Sequence, residues 1–237
     1  MREWAEDLST SLLKAQTLES AFTLVATAAT KLGFEYCAYG LRLTLPVVKP
    51  RILLFSNYPS GWKQQYEAAD YVAIDPTVLH GRRTQTPVVW SDSLFRDTPE
   101  IWDGACSFGL RAGWAQSNFD AHGVVGMLTL ARSGAPVSAS ELRANDMKMR
   151  YLVLMSHPVL AQALLPTPGK SLQINLTARE VEILKWLADG KTSRDVSDIL
   201  RISFDTVNFH VKNAIAKLGV TNKTAAAAQA ILMGLLD

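Results

Sequence analysis

The last quarter of the chain carries start and stop signals for three short helices in close succession. Thr177 and Glu180 have the spacing of a capping box, and Gly190 stands where a glycine commonly ends a helix. Thr192, three residues before an aspartate, and then Ser203 are N-cap signals for the next two helices. Only a few residues separate these last two helices. Two short helices joined so tightly are typical of a helix-turn-helix, whose second helix lies in the major groove of DNA.

The third predicted helix has one apolar and one polar face. Its apolar stripe is Val207, Val211, Ala214, Ile215 and Leu218. Its polar side chains are Thr206, Asn208, His210, Lys212, Asn213 and Lys217. No acid follows Asp205, as expected of a helix that lies against phosphates. An isolated surface helix has similar polarity, so the prediction depends on the set of three helices. His210 is either a phosphate contact or a surface histidine.

Composition limits the class of protein and its compartment. The 237 residues are 48% hydrophobic and 19% charged, which is typical of a globular chain long enough for two domains. Two cysteines provide no disulfide framework, and no histidine has metal-ligand spacing to them. We find neither a signal-peptide core nor an apolar run of membrane-spanning length, so we expect a cytoplasmic protein without a membrane partner.

A break in helical pattern separates two predicted domains. Two prolines and a glycine fall between Leu164 and Lys170. We therefore expect a first domain at 1–163, a linker at 164–174 and a helix-turn-helix domain at 175–237. In the first domain the pattern predicts helices over 8–31 and 59–68, and a third that begins with a capping box at Ser138 and Glu141. It also predicts strands at 34–43, 51–56, 112–119 and 124–131, the last two joined by a turn at Asp120–Gly123. The predicted class is α+β: an α-β-α sandwich with a central antiparallel sheet, followed by an all-α domain of four helices.

The first domain also concentrates aromatic side chains that carry polar ends. Trp62 and Tyr66 are four residues apart on one helical face, Tyr58 lies just before that helix, and Asp75 follows it. An ordinary core contains aromatics too, and an isolated Asp-Pro pair commonly starts a turn. The cluster as a whole favours a pocket for a small amphiphilic ligand.

Both halves of the chain resemble known families. The stretch Leu176–Leu236, with Glu180, Gly190 and Thr206, resembles the LuxR-type helix-turn-helix. The first half resembles the autoinducer-binding domain of quorum-sensing LuxR-type regulators. Its matching motifs are Asn57-Tyr58-Pro59, Trp62, Tyr66, Asp75-Pro76-Thr77-Val78, Val89-Trp90, Gly109-Leu110, Gly113 and Gly126-x-x-Thr129-Leu130. Together they imply a transcription factor controlled by an N-acyl-homoserine lactone, with no cofactor and no metal.

The resemblance implies a role for each ligand-site residue. The Trp62 indole N–H donates to the lactone carbonyl, Asp75 accepts from the amide N–H, and Tyr58, with Thr129, donates to the acyl carbonyl. Many family members have serine in place of Thr129, whose extra methyl narrows the space beside the acyl carbonyl. The residues that enclose the ring and tail are Tyr66, Val78, Trp90, Trp102, Ala105, Leu110 and Trp114.

The resemblance also implies how the second domain works. Its DNA-binding residues are Lys191, Thr192, Ser193, Thr206, Asn208, Phe209, Lys212, Asn213 and Lys217. A net charge of only +2 favours a homodimer on a palindromic operator, since two copies double the phosphate contacts. In this family the last helix pairs the DNA-binding domains, and Leu232 lies on its candidate seam. RNA polymerase is the expected protein partner.

Two other classes of function remain open from the residues alone. One is a hydrolase or other enzyme acting on a small amide or lactone in the same pocket. The sequence contains no Gly-x-Ser-x-Gly motif, no zinc-protease type motif and no glycine-rich phosphate loop, so we assign no catalytic residue. The other is a phosphorylated response regulator, which needs an acidic pocket near the N-terminus, where the sequence predicts only a helix.

Overall fold

A computed structural model describes residues 2–43, 50–119, 124–164 and 174–236. These residues form two compact units, one of residues 2–43, 51–119 and 124–164 and one of residues 174–236. In the ranges described, no helix is both long enough and apolar enough to cross a membrane. The predicted turn at Asp120–Gly123 and most of the predicted linker lie outside the described residues.

The first unit has helices on both sides of a sheet. In chain order its elements are α1 (Arg2–Leu13), α2 (Leu18–Lys31), β1 (Tyr36–Arg42), β2 (Ile52–Ser56), α3 (Ser60–Ala68), a 3-10 turn (Tyr71–Ala73), α4 (Pro76–Gly81), β3 (Val88–Val89), α5 (Pro99–Ser107), β4 (Ala112–Phe119), β5 (Val125–Arg132) and α6 (Ala139–Leu164). The sheet order is β2-β1-β5-β4-β3, and every neighbouring pair is antiparallel. This architecture confirms the predicted α+β class.

Local capping explains where the helices of this unit begin. The single helix predicted over 8–31 is wrong, because Thr17 forms a capping box with Ser20 and starts α2 after a break. The capping box predicted at Ser138 and Glu141 is present, with Ser138 N–H donating to Glu141 at 2.9 Å. From there α6 runs as one helix that includes Pro158.

Strand register assigns the sheet residues to two faces, since successive side chains point to opposite sides. Trp114 pairs with Leu130, and these two side chains share one face with Leu128. That face packs against α1, α2 and α6 to form the larger core, which includes Leu12, Val25, Leu152 and Leu160. Thr129 pairs with Ala38 on one side and Ala115 on the other, on the opposite face of the sheet.

The second unit is a four-helix domain, as predicted. Its helices are α7 (Ala178–Ala188), α8 (Ser193–Leu200), α9 (Phe204–Leu218) and α10 (Lys223–Leu232). Capping boxes at Thr177 and Thr192 start α7 and α8, and the Ser203 side chain caps α9. Gly190 follows the end of α7 with φ +84°, a left-handed conformation that glycine adopts at little cost. All four predicted signals are therefore confirmed.

Candidate functional site

The ligand-site candidates meet on the face of the sheet that α3, α4 and α5 cover. Trp62 is 3% exposed and meets the ring of Tyr66 edge-on, with centroids 5.6 Å apart. On the far side of the group, Trp90 lies 6.4 Å from Trp102, again edge-on. The aromatic cluster contains Tyr58, Trp62, Tyr66, Trp90, Trp102, Ala105 and Leu110. The structure thus brings together seven residues that lie on three separate segments of the sequence.

Asp75 is the buried acid of this cluster. One carboxylate oxygen, Oδ1, accepts from the Thr77 backbone N–H at 2.8 Å and from the Thr77 hydroxyl at 2.6 Å. The other, Oδ2, accepts from the Tyr66 hydroxyl at 2.8 Å. Asp75 is therefore the N-cap of α4, as an Asp-Pro pair suggests. Because a carboxylate accepts about four hydrogen bonds, Oδ2 retains acceptor capacity toward the aromatic cluster.

Two buried donors of the cluster have no hydrogen-bond partner in the described structure. They are the Tyr58 hydroxyl and the Trp90 indole N–H. Burial raises the pKa of Tyr58 well above its usual value, and nearby Cys37 and Asp75 raise it further. The hydroxyl is thus protonated and able to donate. Because a buried polar group without a partner costs roughly 1–3 kcal/mol, this arrangement favours a ligand that supplies acceptors.

Trp90 is positioned by the absence of a side chain on β4. A Cβ atom at Gly113 would collide with the Trp90 indole. The backbone N–H of Trp90 also donates to the Gly113 carbonyl at 2.8 Å, which extends the β3–β4 ladder. Gly113 therefore allows the indole to lie directly against the sheet on the aromatic side.

Three other predicted ligand residues have different positions. Thr129 is 6% exposed on the sheet face that carries the cluster. Val78 is half-buried on α4, which packs against β4. Trp114 is fully buried on the opposite face, in the core formed with α1, α2 and α6, so the structure does not bring it to the cluster.

Sequence reasoning did not assign several aromatic members of the cluster. The ring centroids of Tyr71 and Phe108 lie 6.0 Å and 6.2 Å from that of Trp62. Phe95 stacks on Trp102 with ring centroids 5.1 Å apart. Tyr36 meets Tyr58 edge-on at 6.3 Å. In β1 the residues buried in the larger core alternate with residues on the opposite face of the sheet, and Tyr36 is one of the latter. This period of two in the sequence is the signal that could have placed Tyr36 on the same face as the cluster. For the other three we find no signal in the sequence.

The helix-turn-helix forms as predicted, with α8 and α9 joined by residues 201–203. Ile183 of α7, Val196 of α8, and Val207 and Val211 of α9 form its buried core. Asn208 and Asn213 are half-buried, whereas Thr206, Phe209 and Lys212 are exposed on α9. At the start of α8, Lys191 and Thr192 are exposed and Ser193 is 6% exposed.

Lys217 is bound within the domain. Its Nζ donates to Glu180 Oε2 at 2.7 Å, and the Glu180 side chain is 3% exposed. The same Glu180 oxygen accepts from the Thr177 N–H at 2.8 Å, so it also closes the capping box of α7. The Lys217 side chain therefore binds the N-terminus of α7, whereas the resemblance had implied that Lys217 contacts DNA.

The last helix keeps an apolar strip exposed. Ile231 is 55% exposed, and Ala228 lies one turn before it on the same side. Ala226, Ala227 and Ala230 are buried against the other helices. Leu232 is half-buried at the edge of the exposed strip, and Leu235 packs toward the domain core.

Comparison with known proteins agrees with both halves of this description. Residues 17–160 match the autoinducer binding domain, and residues 174–230 match the bacterial regulatory proteins of the luxR family. The chain is 39% identical over 238 residues to the transcriptional activator protein AnoR of Acinetobacter nosocomialis, covering 100% of both chains. Its fold matches the crystal structure of Escherichia coli SdiA with a TM-score of 0.86 and 32% identity, over 99% of this chain and 98% of that one. The N-acylhomoserine lactone dependent LuxR family transcription factor CepR2 from Burkholderia cenocepacia matches with a TM-score of 0.64 and 35% identity, over 68% of this chain and 95% of that one.

Fold and site together define a transcriptional regulator that joins a small-molecule sensor domain to a helix-turn-helix. The chain belongs to the LuxR family of quorum-sensing transcriptional regulators. It binds an autoinducer through its first domain and DNA through its second. The curated relatives are regulators, so the alternative of an enzyme acting on an amide or lactone is rejected.

Proposed function

We propose that this regulator binds an N-acyl-homoserine lactone within the aromatic cluster and then activates transcription from operator DNA. The observation that carries the proposal is the buried Tyr58 hydroxyl, which has no hydrogen-bond partner in the described structure, beside Asp75 with its remaining acceptor capacity. An acyl-homoserine lactone carries an amide N–H for an acceptor and two carbonyls for donors. The cluster offers the complementary set of polar groups in an apolar setting.

Each polar group of the site has one proposed partner. Asp75 Oδ2 accepts from the amide N–H, beside the hydrogen bond that it already receives from Tyr66. Tyr58, with Thr129 nearby on the sheet, donates to the acyl carbonyl, and the Trp62 indole N–H donates to the lactone carbonyl. Trp90 and Tyr66 enclose the ring, whereas Val78, Trp102, Ala105 and Leu110 contact the tail. Trp114 is left out of this set because it lies on the opposite face of the sheet.

A matched pair of tyrosine variants tests the ligand site. Tyr58→Phe removes a hydroxyl without a described partner, so we expect the unliganded protein to keep its stability. Tyr66→Phe removes the hydrogen bond to Asp75 and should lower the unfolding free energy by about 1 kcal/mol. With a panel of acyl-homoserine lactones, wild-type melting temperature should rise, because a hundredfold excess over Kd stabilises by roughly 2.7 kcal/mol.

The outcomes of this experiment separate the roles. Tyr58→Phe should weaken lactone binding roughly 3–10-fold, the effect of one lost hydrogen bond. Unchanged melting of the wild type across all chain lengths would count against an acyl-homoserine lactone as ligand. Equal lactone affinity of wild type and Tyr58→Phe would remove only the role proposed for Tyr58.

The DNA-binding surface is proposed to combine α9 with the N-terminus of α8. Asn208, Phe209, Lys212 and Asn213 face the bases in the major groove, and Thr206 faces the backbone. Lys191, Thr192 and Ser193 hold a phosphate. The Thr192 hydroxyl and backbone N–H both donate to Asp195 in the capping box, and the Ser193 side chain is buried, so the Ser193 backbone N–H is the donor that this role requires.

Assembly and location complete the proposal. A sensor domain at 1–163, a linker at 164–174 and a DNA-binding domain at 175–237 form one protomer of a homodimer, which binds an inverted repeat in the cytoplasm and contacts RNA polymerase. Small net charge supports the dimer, because one helix-turn-helix alone offers few phosphate contacts. The exposed strip of α10 supports it as well.

A further inference from the structure

Phe209 occupies the middle of the outward face of the recognition helix. Each residue of an α-helix advances about 100° around its axis, so Phe209 lies about 200° from Val207, the first residue of the buried stripe. The ring is 60% exposed, the largest exposure of an aromatic side chain described for this helix. It meets the edge of the neighbouring His210 ring, with centroids 5.5 Å apart.

The surroundings of Phe209 are polar. On the same outward line lie Asp205 one turn before it and Lys212 one turn after it, and both are exposed. The other exposed aromatic of α9, Phe204, lies five residues earlier and hence about 140° away around the axis. Phe209 is therefore a single apolar group among polar ones. An apolar surface for a protein partner usually extends over a contiguous patch of several hundred Å².

A lone exposed phenyl ring on a recognition helix has one suitable counterpart in the DNA major groove. Base edges there present hydrogen-bond donors and acceptors, with a single apolar group, the C5-methyl of thymine. A phenyl ring makes no strong hydrogen bond with the donors and acceptors, whereas it packs favourably on the methyl. Asn208 and Lys212 beside it can hydrogen-bond to neighbouring bases, which confines the apolar contact to one base pair.

We propose that Phe209 is a specificity-determining residue that recognises the 5-methyl group of one thymine in each operator half-site. This inference rests on the proposed binding of α9 in the major groove. One buried methyl group contributes roughly a factor of four in affinity. Phe209 thus favours thymine at its position through apolar contact, independently of the hydrogen bonds made by its neighbours.

The test uses full-length, lactone-loaded protein and thymine-to-uracil substitution, which removes the 5-methyl and leaves the Watson–Crick pair intact. The protein first selects its preferred site from a random duplex library. Each thymine in one half-site of the selected duplex is then replaced by uracil in turn, and Kd is measured by fluorescence anisotropy at fixed salt. We expect one position at which wild type loses about fourfold in affinity, as calculated for one buried methyl.

The variants assign that loss to Phe209. Phe209→Ala should bind the thymine and uracil duplexes equally, and Asn208→Ala should retain the fourfold difference. Because the ring is 60% exposed, Phe209→Ala should melt at the wild-type temperature. An equal uracil effect in wild type and Phe209→Ala, or no uracil effect at any thymine, overturns the inference. The inference is also overturned if Phe209→Ala keeps full operator selectivity but loses activation with RNA polymerase. That result would assign the ring to a protein contact. Failure of wild type to enrich any sequence would instead contradict the proposed DNA-binding function.

Discussion

Lys217, near the end of α9, forms an ion pair with Glu180 in the first turn of α7, at 2.7 Å. Burial on its own raises the pKa of Glu180, but hydrogen bonds from Lys217 and Thr177 outweigh it, and the net pKa lies below the usual value of 4.5. The pair spans 37 residues of sequence. It therefore fixes the C-terminal part of the recognition helix relative to the first helix of its domain.

Replacing Lys217 should affect stability and leave the salt dependence of DNA binding unchanged. In Lys217→Met the buried Glu180 carboxylate keeps only its hydrogen bonds from Thr177, so we expect a loss of about 1–3 kcal/mol in unfolding free energy, measured by urea denaturation. The matched variant Lys212→Met removes an exposed cation and should flatten the plot of log affinity against log salt by about one unit. A similarly flattened slope for Lys217→Met would show that Lys217 contacts phosphate after all.

The ion pair between Arg132 and Glu141 predicts a pH dependence in the first domain. Hydrogen bonds from the Arg132 side chain, and then from Ser138, lower the pKa of Glu141 from 4.5 to about 2. A lowered pKa in the folded state stabilises the fold above the unfolded-state value, and this stabilisation disappears as pH falls through the folded-state value. Wild type should therefore melt above Glu141→Gln at pH 6, and the difference should shrink between pH 4.5 and about 2. A melting difference that stays constant over this range would contradict the assignment.

Much of the fold was predictable because its signals are local. Thr177, Thr192 and Ser203 act on backbone groups within three residues, so each helix start could be located from the sequence. The six-residue helix α4 is too short to show a helical period, and it was missed. The partner of Lys217 depends on tertiary packing, which no local pattern encodes.

In the aromatic site, too, local spacing was predictable from the sequence and tertiary placement was not. Trp62 and Tyr66 share a helical face, and the structure brings them together as their spacing predicts. The residues directly before and after Trp114 in the sequence, Gly113 and Ala115, are both apolar. The alternation of polar and apolar residues that would distinguish the two sheet faces is therefore absent there. Only pairing with Leu130 shows that Trp114 belongs to the core opposite the site.

Trp114 and Trp90 lie on opposite faces of the sheet, so we expect different responses to their substitution. Trp114→Leu should cost about 3 kcal/mol of stability, because it leaves a cavity in the core, while the order of preference among lactones stays unchanged. Trp90→Phe removes a buried indole N–H that has no partner among the described residues and alters the wall of the aromatic cluster, so it should change lactone affinity more than unliganded stability. Urea denaturation and lactone-induced melting shifts measure the two effects. A changed lactone preference in Trp114→Leu with normal stability would place that side chain in the site.

The exposed strip of α10 predicts where the DNA-binding domains of a dimer meet. Ile231 is 55% exposed, so Ile231→Arg should leave the fold and lactone binding intact while placing like charges across the two-fold axis. Since pairing two sites strengthens binding by roughly 10²–10⁴, operator affinity should fall at least about a hundredfold in an electrophoretic mobility assay. Gln16→Arg adds the same charge on an exposed residue of the first unit and should keep wild-type affinity. If Ile231→Arg bound the inverted repeat as tightly as wild type, or if sedimentation showed a liganded wild-type monomer on DNA, the two domains would not pair through this strip.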